Sequence, residues 1–227
     1  MIKVENSEVF NFEGAIRGMR NPMNSWDKSD SFHGCGNGDY RCDSCSEYCN
    51  EPPYIIGEND LALMQRLYKG GSEHRKYLRQ IMVTMDITAP LYWWKEFDTY
   101  KVGITANSCS TMHKIHAKEF TLDDFSHENM SDAARSTLKT IISRLNMARE
   151  YYNNKIDNPV MGMHWKTYWW DMIQLLPVSY NQKRTVTMNY ENIMNMINQR
   201  ENHKLDEWRE LVKFLRKLPY VKAIRGE

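Results

Sequence analysis

Residues 184–188 and the helix signal behind them constrain this chain more than any other stretch. Arg184-Thr185-Val186-Thr187-Met188 places three β-branched side chains in a row, a composition that fits a pleated, half-buried strand. Asn189 then stands where a helix N-cap is needed, ahead of Ile193, Met194 and Ile197 at helical spacing, and an N-cap Asn satisfies one of the free N–H groups of the first turn. A short strand therefore feeds a helix. Arg200 lies three residues beyond Ile197 and seven beyond Ile193, so it stands in line with the apolar stripe of that helix. Two readings are open: an arginine that snorkels and favours the negative end of the helix dipole, or a guanidinium aimed at an acceptor.

The remaining elements are read in the same way. Ile81, Val83, Met85 and Ile87 alternate with Met82, Thr84 and Asp86, which predicts a half-polar strand. Thr88 is placed to cap the next helix, with Pro90 early in it where a missing N–H costs nothing. That helix is expected over residues 91–101 and carries the run Tyr92, Trp93, Trp94, rings that suit a core or a subunit interface and can also stack on the ring of a planar ligand. Asp60 is placed to cap a helix with Leu61, Met64, Leu67 and Tyr68, ended by Gly70-Gly71, and Ser72-Glu73-His74 opens a further helical segment. Ser131 and Asp132 begin a helix bearing Leu138, Ile141, Ile142 and Leu145; another carries Trp165, Tyr168, Trp169 and Met172; a last one carries Leu205, Trp208, Leu211, Val212 and Leu215 up to Pro219. Residues 13–25 hold too many glycines and a proline for one clean helix and read as a broken element. Its Arg17 and Arg20 are either surface or intersubunit charges or groups that reach an anionic ligand.

With 227 residues, 41% hydrophobic and 12% aromatic, the chain can bury a core, and a single domain over residues 1–227 with one insert is expected. Thirty basic against 29 acidic residues give a net charge of +1, so nucleic acid is not expected as a partner. No run of eighteen apolar residues and no charged-then-apolar leader occurs, which argues against membrane spans and secretion; a cytoplasmic protein is expected. No Gly-rich phosphate loop, nucleophile elbow or His-Glu-x-x-His helix appears.

The insert lies at about residues 33–50. There His33, Cys35, Cys42, Cys45 and Cys49 crowd a Gly-, Asp- and Ser-rich segment without hydrophobic periodicity. Four thiols, two of them in a Cys-x-x-Cys pair, can surround a tetrahedral Zn because thiolates are soft ligands and the two-residue spacer lets both point inward. The gaps of six, two and three residues match no standard zinc pattern, so free thiols are the other reading. Disulfides are not expected in a cytoplasmic protein.

The C-terminal half also resembles a known family. Leu176-Pro177, a strand ending in Asn189 twelve residues after the Pro, Asn195 within the following helix, and Arg200 eleven residues after Asn189 are similar to the flavin-dependent thymidylate synthases, the thymidylate synthase complementing family. The element order extends the resemblance over roughly residues 72–217. It implies a mixed α/β (α+β) fold, a sheet with packed helices, in a homotetramer whose active sites form between subunits. It also implies reductive methylation of dUMP to dTMP, with methylenetetrahydrofolate giving the carbon, NADPH reducing FAD and the reduced flavin giving hydride.

By this resemblance Arg200 binds the nucleotide, Asn189 and Asn195 line the flavin and nucleotide site, and His74 contacts flavin. The family signature, an Arg-His-Arg triplet with a Ser downstream, falls on Thr99-Tyr100-Lys101 and Cys109, with Ser108 one residue earlier. The triplet itself is missing. Lys95 and Lys101 remain as cations for a phosphate, without the bidentate fork of arginine, while Glu96 and Asp98 would repel it. Lys95, Lys101, Ser108, Cys109 and Arg200 are thus the candidate substrate-binding residues; His74, Tyr100, Asn189 and Asn195 the cofactor-binding ones; Cys35, Cys42, Cys45 and Cys49 the metal-binding ones. No catalytic residue is assigned. Two other function classes stay open: a divergent relative that binds a pyrimidine nucleotide and flavin with altered or no activity, and a metal-bearing structural or interaction protein organised by the cysteine segment.

Overall fold

The computed structural model describes residues 2–34 and 54–227. Its main sheet has the strand order β1 (Lys3–Phe10), β4 (Met82–Pro90), β6 (Asn181–Asn189), β5 (Thr105–Ser108), and a two-stranded sheet pairs β2 (Phe32–His33) antiparallel with β3 (Tyr54–Ile55). The helices are α1 (Phe12–Arg20), α2 (Glu58–Lys69), α3 (Leu91–Phe97), α4 (Asp132–Asn153), α5 (Thr167–Leu175), α6 (Tyr190–Arg200), α7 (Asp206–Leu215) and α8 (Val221–Arg225). The result is the mixed α/β fold expected from the sequence. The cysteine segment proposed as a Zn site, Cys35 to Cys49, lies outside the described residues.

In β4 the alternation holds: Val83, Met85, Ile87 and Ala89 are fully buried, while Thr84, Asp86 and Thr88 on the other face stay half-exposed. Thr84 Oγ1 meets Thr187 Oγ1 at 2.9 Å, and two residues on, Asp86 Oδ1 accepts from Thr185 Oγ1 at 2.6 Å. One strand advances as the other retreats, which is an antiparallel register.

The chain divides into two compact units, each discontinuous in sequence: residues 1–6, 85–186 and 204–211, and residues 7–84, 187–203 and 212–227. In the first, Trp93, Trp94, Phe97 and Trp208 form a buried aromatic cluster, with Trp93 4.8 Å from both Trp94 and Trp208. A second cluster packs α4 on α5 through Leu138, Ile142, Leu145, Tyr168 and Met172. Ser131 caps α4 as the sequence implies, accepting from the N–H of Ala134. In the second unit Ile16, Met64, Leu78, Ile193, Ile197 and Leu215 are buried, and Phe12 packs edge-on against Tyr190 and Tyr220.

Several boundaries differ from expectation. Strand β4 continues through Thr88 to Pro90, so Pro90 is the N-cap residue of α3 and Thr88 caps nothing. Helix α3 stops at Phe97, four residues early, because the chain tightens into turns closed by Thr99 N–H to Glu96 O and Tyr100 N–H to Phe97 O, and Gly103 then takes a left-handed φ of 74°. Residues 72–74 form a turn, and only a 3₁₀ turn follows at Lys76–Arg79. The N-terminal segment, read as broken over residues 13–25, runs as a helix through both glycines over Phe12–Arg20 and breaks only after it, into a 3₁₀ turn at Asn21–Met23.

Helix α2 is capped at Gly57, not at Asp60. Asp60 is wholly buried and receives Arg20 Nε at 2.5 Å, Ser29 Oγ at 2.7 Å, Ser31 Oγ at 2.6 Å and the N–H groups of Asp30 and Ser31 at 3.2 and 3.1 Å. Burial pushes its carboxyl up, and the bonds from Ser31, Ser29 and Arg20 outweigh that, so its pKa ends below the usual value. Arg20, expected at the surface, is the buried partner of this carboxylate, while Arg17 is exposed.

Candidate functional site

Strand β6 runs straight into α6, and the junction is fixed by a reciprocal cap. Asn189 Oδ1 accepts from the N–H of Asn192 at 3.0 Å, and Asn192 Oδ1 accepts from the N–H of Asn189 at 3.3 Å. The N–H of Tyr190 donates to the carbonyl of Ile81 at 2.9 Å, which ties the helix start to the root of β4. Arg200, half-buried in the last turn of α6, follows the row of buried Ile193 and Ile197. Asn195 is also half-buried, but five residues at about 100° each place it about 140° around the helix from Arg200. The two therefore leave α6 in different directions.

His74 is exposed on the turn after α2, its N–H donating to the carbonyl of Gly71. Gly70 sits close beneath it, since a Cβ on it would stand 3.2 Å from the His74 Cβ. Glu191, in the first turn of α6, binds Arg79 at 2.5 Å and Arg75 at 3.4 Å. The segment that follows His74 is thereby held at the capped end of α6, where Asn189 sits. Of the predicted residues, His74 and Asn189 are thus brought toward one helix terminus, and Arg200 lies at the other end of that helix. The Glu191 clasp had no signal in the sequence.

Lys95, Tyr100, Lys101, Ser108 and Cys109 belong to the other unit. Lys95 and Lys101 are exposed, as are Ser108 in β5 and Cys109 just after it. Cys109 is held at the edge of β6 by its N–H to the carbonyl of Lys183 at 2.9 Å, and its carbonyl accepts from Gln182 Nε2 at 2.8 Å. The Thr99-Tyr100-Lys101 triplet falls beyond the end of α3. There the Tyr100 ring lies half-buried, 5.8 Å from Trp208 and 6.4 Å from Phe97.

Trp93 and Trp94, which the sequence left between core and ring-stacking, are core: each is at most 1% exposed. Trp94 Nε1 donates to the carbonyl of Gln182, and the Arg184 guanidinium lies over the Trp94 ring at 4.2 Å. The acids of this segment are engaged, since Asp98 pairs with Arg184 Nη1 at 2.7 Å and Glu96 accepts from Trp208 Nε1 at 3.0 Å. Their repulsion of a phosphate is weaker than the bare sequence suggests. The Tyr92 phenol donates to the carboxylate of buried Glu207; burial, then that carboxylate, hold it protonated well above its ordinary range.

Arg184 is a cation that sequence reasoning did not single out. Its one signal is parity, two residues from buried Gln182 and Val186 on the inner face of β6. On the outer face Asp86 accepts from Thr185, Asn6 and Lys183, which together bring its pKa down to about 2.

The donor set suits a nucleotide and a flavin. The carboxamides of Asn189 and Asn195, the His74 ring and the Arg200 guanidinium offer donors and acceptors on half-exposed or exposed positions, the kind of group that recognises phosphate and pyrimidine edges. Asn189 keeps its amide N–H₂ for such a contact, because the cap uses its oxygen. Among the described residues no group of three His, Cys, Asp or Glu side chains could hold a metal ion, and no helix is long and apolar enough to cross a membrane.

No family model and no curated protein matches the chain. Solved structures do. The flavin-dependent thymidylate synthase ThyX from Helicobacter pylori, complexed with FAD and dUMP, superimposes with a TM-score of 0.62 over 99% of this chain and 98% of that one, at 15% identity. A second structure of Thymidylate Synthase X from the same organism, also with FAD and dUMP, gives 0.61 over 100% and 98%, again at 15% identity. At that identity the likeness is one of fold.

Proposed function

We propose that this protein is a flavin-dependent thymidylate synthase-like enzyme, converting dUMP to dTMP by reductive methylation. FAD is its cofactor, methylenetetrahydrofolate and NADPH are its co-substrates, and a homotetramer is its working form. The observation that carries the reading is the end-to-end correspondence of fold with a protein crystallised with FAD and dUMP. The spacing of Asn189, Asn195 and Arg200 along one capped helix supports it.

In this reading the bound flavin supplies the redox chemistry, and the chain supplies position and charge. Arg200 binds the nucleotide, with Lys95, Lys101, Ser108 and Cys109 as the other substrate-side groups. His74, Asn189, Asn195 and Tyr100 hold the flavin. Arg200 is half-buried in the last turn of α6, and a guanidinium there can give a nucleotide phosphate a charge-assisted hydrogen bond.

A second reading is favoured by the segment after α3. A protein with Thr99-Tyr100-Lys101 beyond the helix end, and Tyr100 packed on Trp208, presents one cation where the family signature has two arginines. Such a protein would bind flavin and a pyrimidine nucleotide without performing the methylation.

Purified protein reconstituted with FAD and sedimented distinguishes these readings. The proposal expects a yellow tetramer whose reduced flavin is reoxidised only with dUMP and methylenetetrahydrofolate, forming dTMP. A yellow protein stabilised by dUMP that forms no dTMP supports the second reading. A colourless monomer after FAD addition refutes both.

A further inference from the structure

We propose that the cleft between the C-terminal end of α1 and one face of α2 binds a phosphate group, carried by a small free anion or by a nucleotide. The cleft has a volume of about 460 Å³, within the range of small-ligand sites. Asn59, Ala62, Leu63 and Arg66 line it from α2 at helical spacing, while Arg20, Met23, Ser25 and Lys28 close it from the other side.

Its charge is one-sided. Lys28 and Arg66 are exposed, and neither forms an ion pair among the described residues; Arg66 Nη2 rests only on the Met23 sulfur at 3.7 Å. The Arg20 side chain is 4% exposed, its Nε is held by Asp60 and its Nη1 by the carbonyl and hydroxyl of Ser25 at 3.1 and 3.4 Å. Its Nη2 has no hydrogen-bond partner among the described residues, although Arg20 lines the cleft. The carboxylate that neutralises Arg20 is fully buried behind it and already receives five donors. Among the described residues no acid lines the cleft.

The Arg66 fork, the Lys28 ammonium and the remaining Nη2 of Arg20 around one depression, with Ser25 and Asn59 as neutral donors, match a multiply charged oxyanion better than a single carboxylate, which one fork would satisfy. Two larger cavities, one in the same unit and one in the other, mix the signs. In one, Arg17 shares the lining with Glu13, and in the other Arg144 shares it with Asp171.

The test is calorimetric titration of the full chain at low salt with inorganic phosphate, pyrophosphate and ADP. Saturable binding is expected, and Lys28→Gln/Arg66→Gln should weaken it by at least roughly tenfold, the loss of one to two charge-assisted hydrogen bonds. Both side chains are exposed and form no ion pair among the described residues, so the melting temperature should hold. Arg17→Gln, on the exposed side of α1, should bind as the parent does. Binding of pyrophosphate alone would identify a free anion, and binding of ADP as well the phosphate end of a nucleotide. The proposal is overturned if no probe saturates, or if the double variant keeps parental affinity. It is also overturned if Arg200→Lys abolishes the signal, because the anion would then be reporting the nucleotide site of the proposed function.

Discussion

Replacing Asp60 by Asn should remove about 3–5 kcal/mol of folding free energy, the range for breaking a buried ion pair from one side. Asn preserves the side-chain volume, so no cavity contributes. What changes is the charge facing Arg20, whose side chain is 4% exposed, and the chemistry at the second oxygen. Asp60 Oδ2 accepts from two hydroxyls and two N–H groups; an amide N–H₂ placed there would point donors at donors, while an amide oxygen placed there would leave an N–H₂ against Arg20. Either orientation leaves a buried cation without an anion. Against a total stability of about 5–15 kcal/mol, the loss should be plain in urea unfolding as a lower midpoint at unchanged slope. It should also depend on pH. The folded pKa of Asp60 lies below its ordinary 3.8, so its contribution is complete above that value and fades as pH falls through the folded pKa; parent and variant should converge in acid. Adding Arg20→Met to Asp60→Asn should recover part of the loss, because it removes the unpaired charge while the amide oxygen can still accept from the surrounding donors. A neutral-pH loss below about 1 kcal/mol for Asp60→Asn would refute this account of the network.

Arg200→Lys should weaken dUMP binding by about 1–3 kcal/mol in calorimetry with little change in melting temperature; unchanged affinity with a lower melting temperature would make Arg200 a scaffold residue. Asn189→Ala should cost about 0.5–2 kcal/mol of stability through the lost cap, whereas Asn189→Asp should keep the cap and the melting temperature yet weaken FAD if the amide N–H₂ holds flavin, as fluorescence titration would show. Asp86, held near 2 by Thr185, Asn6 and Lys183, should make stability fall as pH drops from the unfolded aspartate value toward about 2, and Asp86→Asn should flatten that acid limb in thermal melts.

Legibility from sequence followed the range of the interaction. The alternation in β4, the Asn189 cap and the apolar row of α7 are local patterns, and the structure reproduces them. The N-terminal helix was missed because Gly14 and Gly18 look like breakers. They are contact glycines: a Cβ on Gly14 would meet Asn11 Oδ1 at 2.3 Å, and Asn11 is itself held by the carbonyl of Gln80. Arg20 and Asp60 are forty residues apart, and nothing near either announces the other. At the candidate site the environments of the proposed residues were not readable. The sequence placed Glu96 and Asp98 beside the cations, yet only the fold shows Trp208 and Arg184 engaging them.

The interleaving of the two units has a consequence for synthesis on the ribosome. One unit needs residues 204–211 and the other needs residues 212–227, both at the far end of the chain. The first is complete only once residue 211 has been made, and the second only once residue 227 has. Strand β4 must wait for β6, about a hundred residues later, with its apolar edge uncovered in the meantime. Non-local pairing of this kind slows folding and exposes aggregation-prone strands. Severing the chain at 84/85 or 186/187 to obtain an independent half would fail, because each unit draws on segments from both sides of either cut.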